Sequence, residues 1–234
     1  GAPALNISPE EGSRILTESY KLGVKFWDTS EDYGSHSHIA SALRFVPRKE
    51  IAISTKTNAR SGEEARKSLE SSLRELGTDY IDVFLLHNVK LNWIDNCHQM
   101  LKALSQTKNM GIVKAIGLST HSVSVVRESA RFEELDVIMT ICCKANQATI
   151  SRFHENIPLE DGSIEEMHNA IRAAHNRGKG IIAMKVLGTS ASPLVKRYKS
   201  SIRAVAKLEF VDTMVIGMKN LDEVKKNVKA ILSC

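Results

Sequence analysis

The feature that most constrains the fold of this chain is a strict alternation of short apolar runs with longer amphipathic segments. The runs are rich in Ile, Val and Leu, as in buried strands, and each is followed by a segment of helical periodicity. Strands are predicted at Val24–Trp27, Ile51–Thr55, Ile81–Leu86, Val113–Leu118, Val137–Ile141, Gly180–Met184 and Thr213–Ile216. Because strands connected through helices pair in parallel, the pattern predicts an α/β fold of βαβ units.

The number of units favours a TIM barrel. Seven strand-then-helix units follow one initial helix, which begins at the Ser8-Pro9 cap and has no strand before it. This arrangement fits a (β/α)8 barrel that lacks its first strand in this chain. A doubly wound sheet is the alternative, but its usual G-x-G-x-x-G turn is absent. No linker interrupts the pattern, so we expect a single domain over residues 1–234.

A missing first strand has a geometric consequence. Gly1-Ala2-Pro3 looks like the middle of a protein, and we expect the natural protein to have further residues before Gly1. The strands Val24–Trp27 and Thr213–Ile216 should then flank a gap about one strand wide. Direct hydrogen bonds between these two strands would instead indicate a barrel that is complete with seven.

Composition narrows the class of protein. With 42% hydrophobic and 25% charged residues, the 234-residue chain resembles an ordinary globular protein. Its net charge of +5 is scattered over helix faces, with no basic block that would indicate nucleic-acid binding. No apolar run approaches the length of a membrane span, and no signal peptide is visible. The four cysteines lack C-x-x-C spacing, which indicates reduced thiols and a cytoplasmic location.

Ionisable residues follow three successive predicted strands. Asp28 ends the first strand, Lys56 the second and His87 the third, and Tyr33 lies on the loop after Asp28. In a parallel barrel the carboxyl ends of the strands surround one mouth, where the chemistry takes place. The sequence therefore predicts that these four side chains meet there.

These four side chains together are suited to carbonyl chemistry. A free tyrosine has a pKa near 10, and a neighbouring ammonium such as that of Lys56 should lower it. Asp28 would pair with Lys56, and His87 would donate a hydrogen bond to a carbonyl oxygen. Tyr33 would then protonate that oxygen as a hydride reaches the carbon, which requires a nicotinamide cofactor.

The chain also resembles the aldo-keto reductase superfamily. The resemblance is carried, in the family's order, by D-T-S-E-D-Y-G, I-S-T-K-T, L-G-T-D-Y-I-D-V-F-L-L-H, I-G-L-S-T-H and V-I-G-M-K-N-L-D-E-V-K-K-N. It implies a (β/α)8 barrel that reduces aldehydes or ketones with NADPH and needs no metal. It also implies that Asp28, Tyr33, Lys56 and His87 form the catalytic tetrad.

The resemblance further implies a cofactor site. The corresponding residues are Ser119 and Thr120 for the nicotinamide carboxamide, Leu187, Gly188 and Thr189 in the pyrophosphate loop, and Gly217, Lys219 and Asn227 for the adenosine phosphate and adenine. Backbone N–H groups and hydroxyls of the pyrophosphate loop suit phosphate oxygens. Lys219 is the expected ligand of a 2′-phosphate, which favours NADP over NAD.

Three positions depart from the family pattern. Thr120 stands where the family has Asn, Met139 where a Gln often binds the carboxamide, and Lys226 where an acid usually precedes Asn227. These departures leave a cofactor-binding regulatory barrel with little turnover as the alternative function.

Other interpretations of single residues remain open. Asp28 with Lys56 could be a buried ion pair, as is common in barrel interiors. Lys185 could be the Schiff-base lysine of a barrel aldolase. His36 and His38 resemble a metal pair, but residues two apart on a helix do not face each other, so we expect both to be exposed. Trp27 should point away from Asp28, between barrel and helices.

Overall fold

A computed structural model of the chain describes residues 7–142, 159–187 and 198–233. Its β-strands are β1 Phe26–Asp28, β2 Ala52–Thr57, β3 Ile81–Leu86, β4 Val113–Thr120, β5 Val137–Ile141, β6 Gly180–Met184 and β7 Thr213–Met214. Its α-helices are α1 Pro9–Lys21, α2 His36–Ala42, α3 Gly62–Leu76, α4 Ile94–Asn109, α5 Val123–Ser129, α6 Ile164–His175, α7 Tyr198–Ala206 and α8 Leu221–Leu232. In these ranges no helix has the length and apolar character needed to cross a membrane.

The strands form one parallel sheet in which spatial order equals chain order, β1 to β7. The sheet curls with helices around it, which confirms the predicted (β/α)8 architecture, and the described residues supply seven of its strands. In the described part of the chain, β1 pairs only with β2 and β7 only with β6. The two predicted edge strands are therefore the edges of the sheet, and they do not hydrogen-bond to each other.

The two faces of the sheet bury different sets of side chains. Alternate residues of each strand point into the barrel, where Leu85, Met139 and Ile182 belong to a small apolar cluster. The intervening residues pack outward against the helices in a larger core. Trp27 belongs to this outer core and is 3% exposed, as predicted. The inward face is thus apolar in its middle layer, and its polar residues gather at the carboxyl ends of the strands.

At the amino ends of the strands, an aspartate recurs in a fixed structural role. In each case the carboxylate accepts a hydrogen bond from a backbone N–H of the preceding strand, so a strand-end donor is satisfied inside the structure. Asp82, Asp136 and Asp212 accept, in this order, from the backbone N–H groups of Ile53, Ile116 and Ile181 at 2.9, 2.9 and 2.6 Å. Each aspartate joins two neighbouring strands at the end opposite the mouth.

Asp82 accepts hydrogen bonds from three different groups. Besides the Ile53 amide it accepts from Arg48 at 2.7 Å and from Lys114 at 2.9 Å. We expect Asp82→Ala to lower the free energy of unfolding by about 2–4 kcal/mol, because it leaves a buried N–H and a largely buried guanidinium without their acceptor. Urea denaturation measures the loss. Asp79→Ala, at an exposed aspartate in the turn before β3, is the control, and equal midpoints for the two variants would contradict this role.

Candidate active site

Asp28 and Lys56 form a buried ion pair between the two strands at one edge of the sheet. The register places Asp28 beside Ser54, and Lys56 follows two residues later on the same inward face. The Lys56 ammonium donates to both carboxylate oxygens of Asp28 at 2.7 Å and to the carbonyl of Thr29 at 2.6 Å. The side chains of Lys56 and Asp28 are only 2% and 5% exposed. All of the ammonium's donors are engaged, so the pair is fixed in position.

The loop after β1 brings Tyr33 over this ion pair. Backbone hydrogen bonds of 2.8 Å from Thr29 to Ser54 and of 3.0 Å from Glu31 to Lys56 hold the loop along β2. Gly34 then turns the chain with φ 64°, a conformation that favours glycine. The Tyr33 ring lies with its centroid 5.0 Å from the Lys56 ammonium and 5.8 Å from the His87 ring. The structure thus brings the four predicted residues together at the mouth.

The environment of Tyr33 corrects one expectation. Burial raises the pKa of Tyr33 above its ordinary value, and the carboxylates of Asp28 and Asp32 raise it further. The lowered pKa that was expected from Lys56 is not found, because burial and the two carboxylates, which raise the pKa, are the dominant effects. Tyr33 therefore holds its proton firmly at neutral pH.

His87 completes the group from the third strand. Its backbone N–H donates to Thr57 at 2.8 Å, which continues the β2–β3 ladder by one residue. Nδ1 of its ring lies 3.3 Å from the Ser30 hydroxyl and 3.8 Å from a carboxylate oxygen of Asp32. Burial, and next the charge of Lys56, lowers the pKa of His87, so the imidazole is neutral at pH 7. A neutral imidazole can donate a hydrogen bond from one ring nitrogen only.

Further residues lie at the mouth, and of these only Lys185 was given a candidate role from the sequence, as a Schiff-base lysine. Asn88 lies two residues after β3 and Lys185 directly after β6, and they adopt φ values of 54° and 57°, a strained region for residues other than glycine. Burial, and next the charge of Lys185, lowers the pKa of His121 to about 4, so this ring is also neutral. Ser30 and Asp32 adjoin His87. The position of Ser30 two residues beyond a strand-end aspartate was the only sequence signal for it.

The predicted cofactor residues differ in exposure and in their distance from the mouth. Ser119 is the last but one residue of β4, at the mouth, and its hydroxyl accepts from the Asn88 backbone N–H at 3.0 Å. Lys219 is exposed just before α8, whose N-cap is Asn220. Leu187 is partly buried and Gly217 is exposed, while Asn227 lies on the buried face of α8. The remaining two predicted residues, Gly188 and Thr189, lie outside the described residues.

Thr120 has a different position from the one expected of a direct cofactor ligand. It is fully buried, its hydroxyl donates to the Val89 carbonyl at 2.8 Å and accepts from the Ser122 N–H at 3.1 Å. Successive residues of a strand point to opposite faces, so Thr120 points outward because Ser119 points inward. Thr120 thus holds together the loops that follow β3 and β4, and it presents no hydroxyl to the mouth.

The histidines outside the site also differ from one expectation. His36 is not exposed as predicted: it is 4% exposed and bonds Glu75 at 2.6 Å and Thr55 at 2.9 Å. It therefore ties α2 to α3 and β2. In the part of the chain that the structure describes, no group of three or more His, Cys, Asp or Glu residues is arranged to hold a metal ion.

Comparison with known proteins gives a consistent result. The model of the aldo/keto reductase family matches residues 1–205. L-Galactose dehydrogenase of Arabidopsis thaliana is 23% identical over 258 residues, which covers 96% of this chain and 79% of that protein. NADH-specific methylglyoxal reductase of Escherichia coli (strain K12) is 25% identical over 201 residues, covering 73% of this chain and 60% of that protein. This chain thus spans less than two thirds of the second relative.

Solved structures show the same fold. The holo form of an aldo-keto reductase from Bacillus halodurans superposes with a TM-score of 0.75 at 21% identity, covering 99% of this chain and 84% of that one. A thermostable aldo-keto reductase in complex with the inhibitor epalrestat gives a TM-score of 0.73 at 20% identity, covering 98% and 84%. At these identities the likeness concerns the fold.

Proposed function

We propose that this chain, which belongs to the aldo/keto reductase family, reduces an aldehyde or ketone to an alcohol with a hydride from NADPH, with Tyr33 as the proton donor. The observation that supports this most directly is the convergence of the buried Asp28–Lys56 pair, Tyr33 and His87 at one end of the sheet. Family members are oxidoreductases that use nicotinamide cofactors. The choice of NADPH and the roles of the four residues are the content of the proposal.

The proposed roles follow from charge and protonation. Tyr33 is neutral, because burial and two carboxylates raise its pKa, so it carries the proton that a developing alkoxide requires. His87 is a neutral hydrogen-bond donor that orients the carbonyl oxygen beside the phenol. As negative charge develops on that oxygen, Lys56 beneath the Tyr33 ring stabilises the phenolate that forms, while Asp28 holds the ammonium in place.

The described residues suit a bound NADPH, which would supply the hydride. Ser119 accepts one hydrogen bond and still has its own O–H available for a carboxamide oxygen. Lys219 places an exposed cation beside the N-terminus of α8, where the helix dipole also favours a phosphate. The carboxamide and the 2′-phosphate would thus be held by different ends of the site.

Activity is tested by following NADPH consumption with a generic aldehyde such as glyceraldehyde. Steady oxidation that requires both the aldehyde and the chain is expected, and none should occur without either. Tight NADPH binding with no turnover over a broad carbonyl panel would contradict the enzymatic function and support a cofactor-binding regulatory barrel.

Two positions favour the regulatory barrel as the second candidate function: Met139 is buried in the apolar barrel interior, and Thr120 points outward. The carboxamide thus has fewer polar partners than the family pattern offers.

Lys219 decides between the two cofactors in this proposal. Lys219→Ala should raise the Kd for NADPH at least about tenfold and leave that for NADH within about twofold, because a charge-assisted bond to phosphate contributes roughly 1.5–3 kcal/mol. Fluorescence titration of the two reduced cofactors measures both constants. Lys229→Ala, at an exposed position on the same helix, is the control. Equal weakening of NADPH and NADH by Lys219→Ala would show that the phosphate is held elsewhere.

A further inference from the structure

Ser30 has a position that the proposed mechanism has not used. It is fully buried on the loop between Asp28 and Tyr33, and its hydroxyl lies 3.3 Å from Nδ1 of His87. The same hydroxyl is 3.4 Å from the Lys56 carbonyl. Burial raises the pKa of Asp32, but hydrogen bonding from Ser30 and the charge of His87 outweigh it and bring that pKa below its ordinary value. Ser30 therefore lies where it can bond to His87, Asp32 or the β2 backbone.

The two side chains that face Nδ1 differ in one decisive property. A hydroxyl can donate or accept a hydrogen bond, whereas an ionised carboxylate can only accept. Asp32, with an oxygen 3.8 Å from Nδ1, therefore favours the tautomer whose hydrogen is on Nδ1. In that tautomer Nε2 has no hydrogen and cannot donate to a carbonyl oxygen. Of these two side chains, only Ser30 can donate a hydrogen bond to Nδ1 and so favour the opposite tautomer.

We propose that Ser30 is a positioning residue that donates its hydroxyl hydrogen to Nδ1 of His87 and thereby keeps the hydrogen of the neutral ring on Nε2. This inference rests on the proposed function, since it supplies the donor that His87 needs there. The hydroxyl has a single hydrogen, and its oxygen is nearer to Nδ1, at 3.3 Å, than to the Lys56 carbonyl, at 3.4 Å, which already accepts from the Glu31 N–H. In the proposed arrangement this hydrogen is given to Nδ1 and not to Asp32, whose nearest oxygen lies 3.8 Å from Nδ1. A bound substrate would thus face a His87 ring whose Nε2 already carries the hydrogen that it donates to the carbonyl oxygen.

Other charged groups act on His87 but do not select the tautomer. Lys56 and Lys185 oppose protonation of the ring, and Asp28 favours it. Lys56 is bound to Asp28 and Thr29, and the Tyr33 ring meets His87 edge to face with centroids 5.8 Å apart. Among the described side chains, Ser30 and Asp32 are the two polar neighbours of Nδ1 that can decide which nitrogen carries the hydrogen.

Nitrogen-15 NMR of the full chain labelled at histidine tests this directly, without substrate. The His87 signals are identified by their loss in His87→Gln. At pH 7 the wild-type ring should carry its hydrogen on Nε2. In Ser30→Ala the acceptor Asp32 is left facing Nδ1, and the hydrogen should move to Nδ1. In Ser30→Ala/Asp32→Asn the new amide can donate to Nδ1, and the hydrogen should return to Nε2.

Kinetics give the second readout. Ser30→Ala should lower kcat/KM for aldehyde reduction at least about tenfold, because loss of a positioned donor commonly has an effect of this size or larger. The double variant should recover most of that loss. Ser129→Ala is the control: this serine is equally buried, but its hydroxyl bonds only within α5, so tautomer and rate should both stay unchanged.

The two readouts separate this inference from the proposed function. A tautomer change in Ser30→Ala supports the positioning role, even if the wild-type chain reduces no carbonyl and the proposed reaction fails. A wild-type ring with its hydrogen on Nδ1, or a Ser30→Ala ring with an unchanged tautomer, overturns the positioning role and leaves carbonyl reduction to be decided by the NADPH assay.

Discussion

Replacing Tyr33 by Phe is expected to lower kcat for aldehyde reduction by about 10²–10⁴-fold, the usual contribution of a general acid. The ring and its packing against Lys56 and His87 are kept, so NADPH should bind with nearly wild-type affinity. Single-turnover kinetics with NADPH measure the chemical step, and a cofactor titration measures binding. Retention of more than about a tenth of kcat would exclude Tyr33 as the proton donor.

The pH profile gives an independent check on the same residue. Because burial and the carboxylates of Asp28 and Asp32 raise the pKa of Tyr33, its proton is retained through the neutral and mildly alkaline range. Since kcat/KM reports the free enzyme, it should show no loss from Tyr33 ionisation up to about pH 9. A decline centred near neutrality that disappears in Tyr33→Phe would mean that the phenol ionises much more easily than its surroundings indicate.

Lys56→Met should cause the largest loss of stability of any substitution at the site, about 3–5 kcal/mol in the free energy of unfolding. It leaves the Asp28 carboxylate, 5% exposed, without the cation to which both of its oxygens bond. This loss reflects a buried charge that is left without a partner, and it is larger than the net contribution of the intact ion pair to the free energy of unfolding. Activity should be lost as well, because no cation remains to stabilise the phenolate.

A double variant separates stability from chemistry at this pair. Asp28→Leu/Lys56→Met removes both charges, and most of the stability should return while activity stays absent. Lys67→Met breaks the exposed Lys67–Glu63 pair, which has a similar 2.6 Å separation, and should leave the denaturation midpoint unchanged. If Lys56→Met unfolded at the same urea concentration as Lys67→Met, the Asp28–Lys56 pair would be well solvated rather than buried.

The sequence was sufficient for the framework because the fold repeats one simple pattern. The predicted limits of β3, β5 and β6 agree with the structure to the residue, since a buried parallel strand is a continuous apolar run between polar ends. The meeting of Asp28, Lys56 and His87 also follows from topology alone. Parallel strands place their carboxyl ends at the same edge, whatever the side chains do next.

The sequence failed where side-chain direction or local charge decides the outcome. Thr120 stays a predicted ligand because Ser119-Thr120 resembles the family's Ser-Asn pair, but the alternation along a strand turns its hydroxyl outward. His36 was expected to be exposed, yet Glu75 and Thr55 bury it in a bridge between elements far apart in sequence. The pKa of Tyr33 is set by burial and by carboxylates that the fold brings close to the ring. Neither effect can be judged from the positions of charged residues along the sequence.

The identity of chain order and spatial order in the sheet also bears on how the molecule assembles. Every described strand pair joins consecutive units, so no pairing has to wait for distant parts of the chain to meet, and loop-closure costs stay small. The four residues proposed to move the proton lie on the first three strands of the chain or just after them, whereas all of the predicted cofactor residues follow later in the chain. During synthesis, the segment from β1 to α4 can dock strand by strand as it emerges. The groups that move the proton would then be assembled before much of the surface proposed to hold the hydride donor has been made.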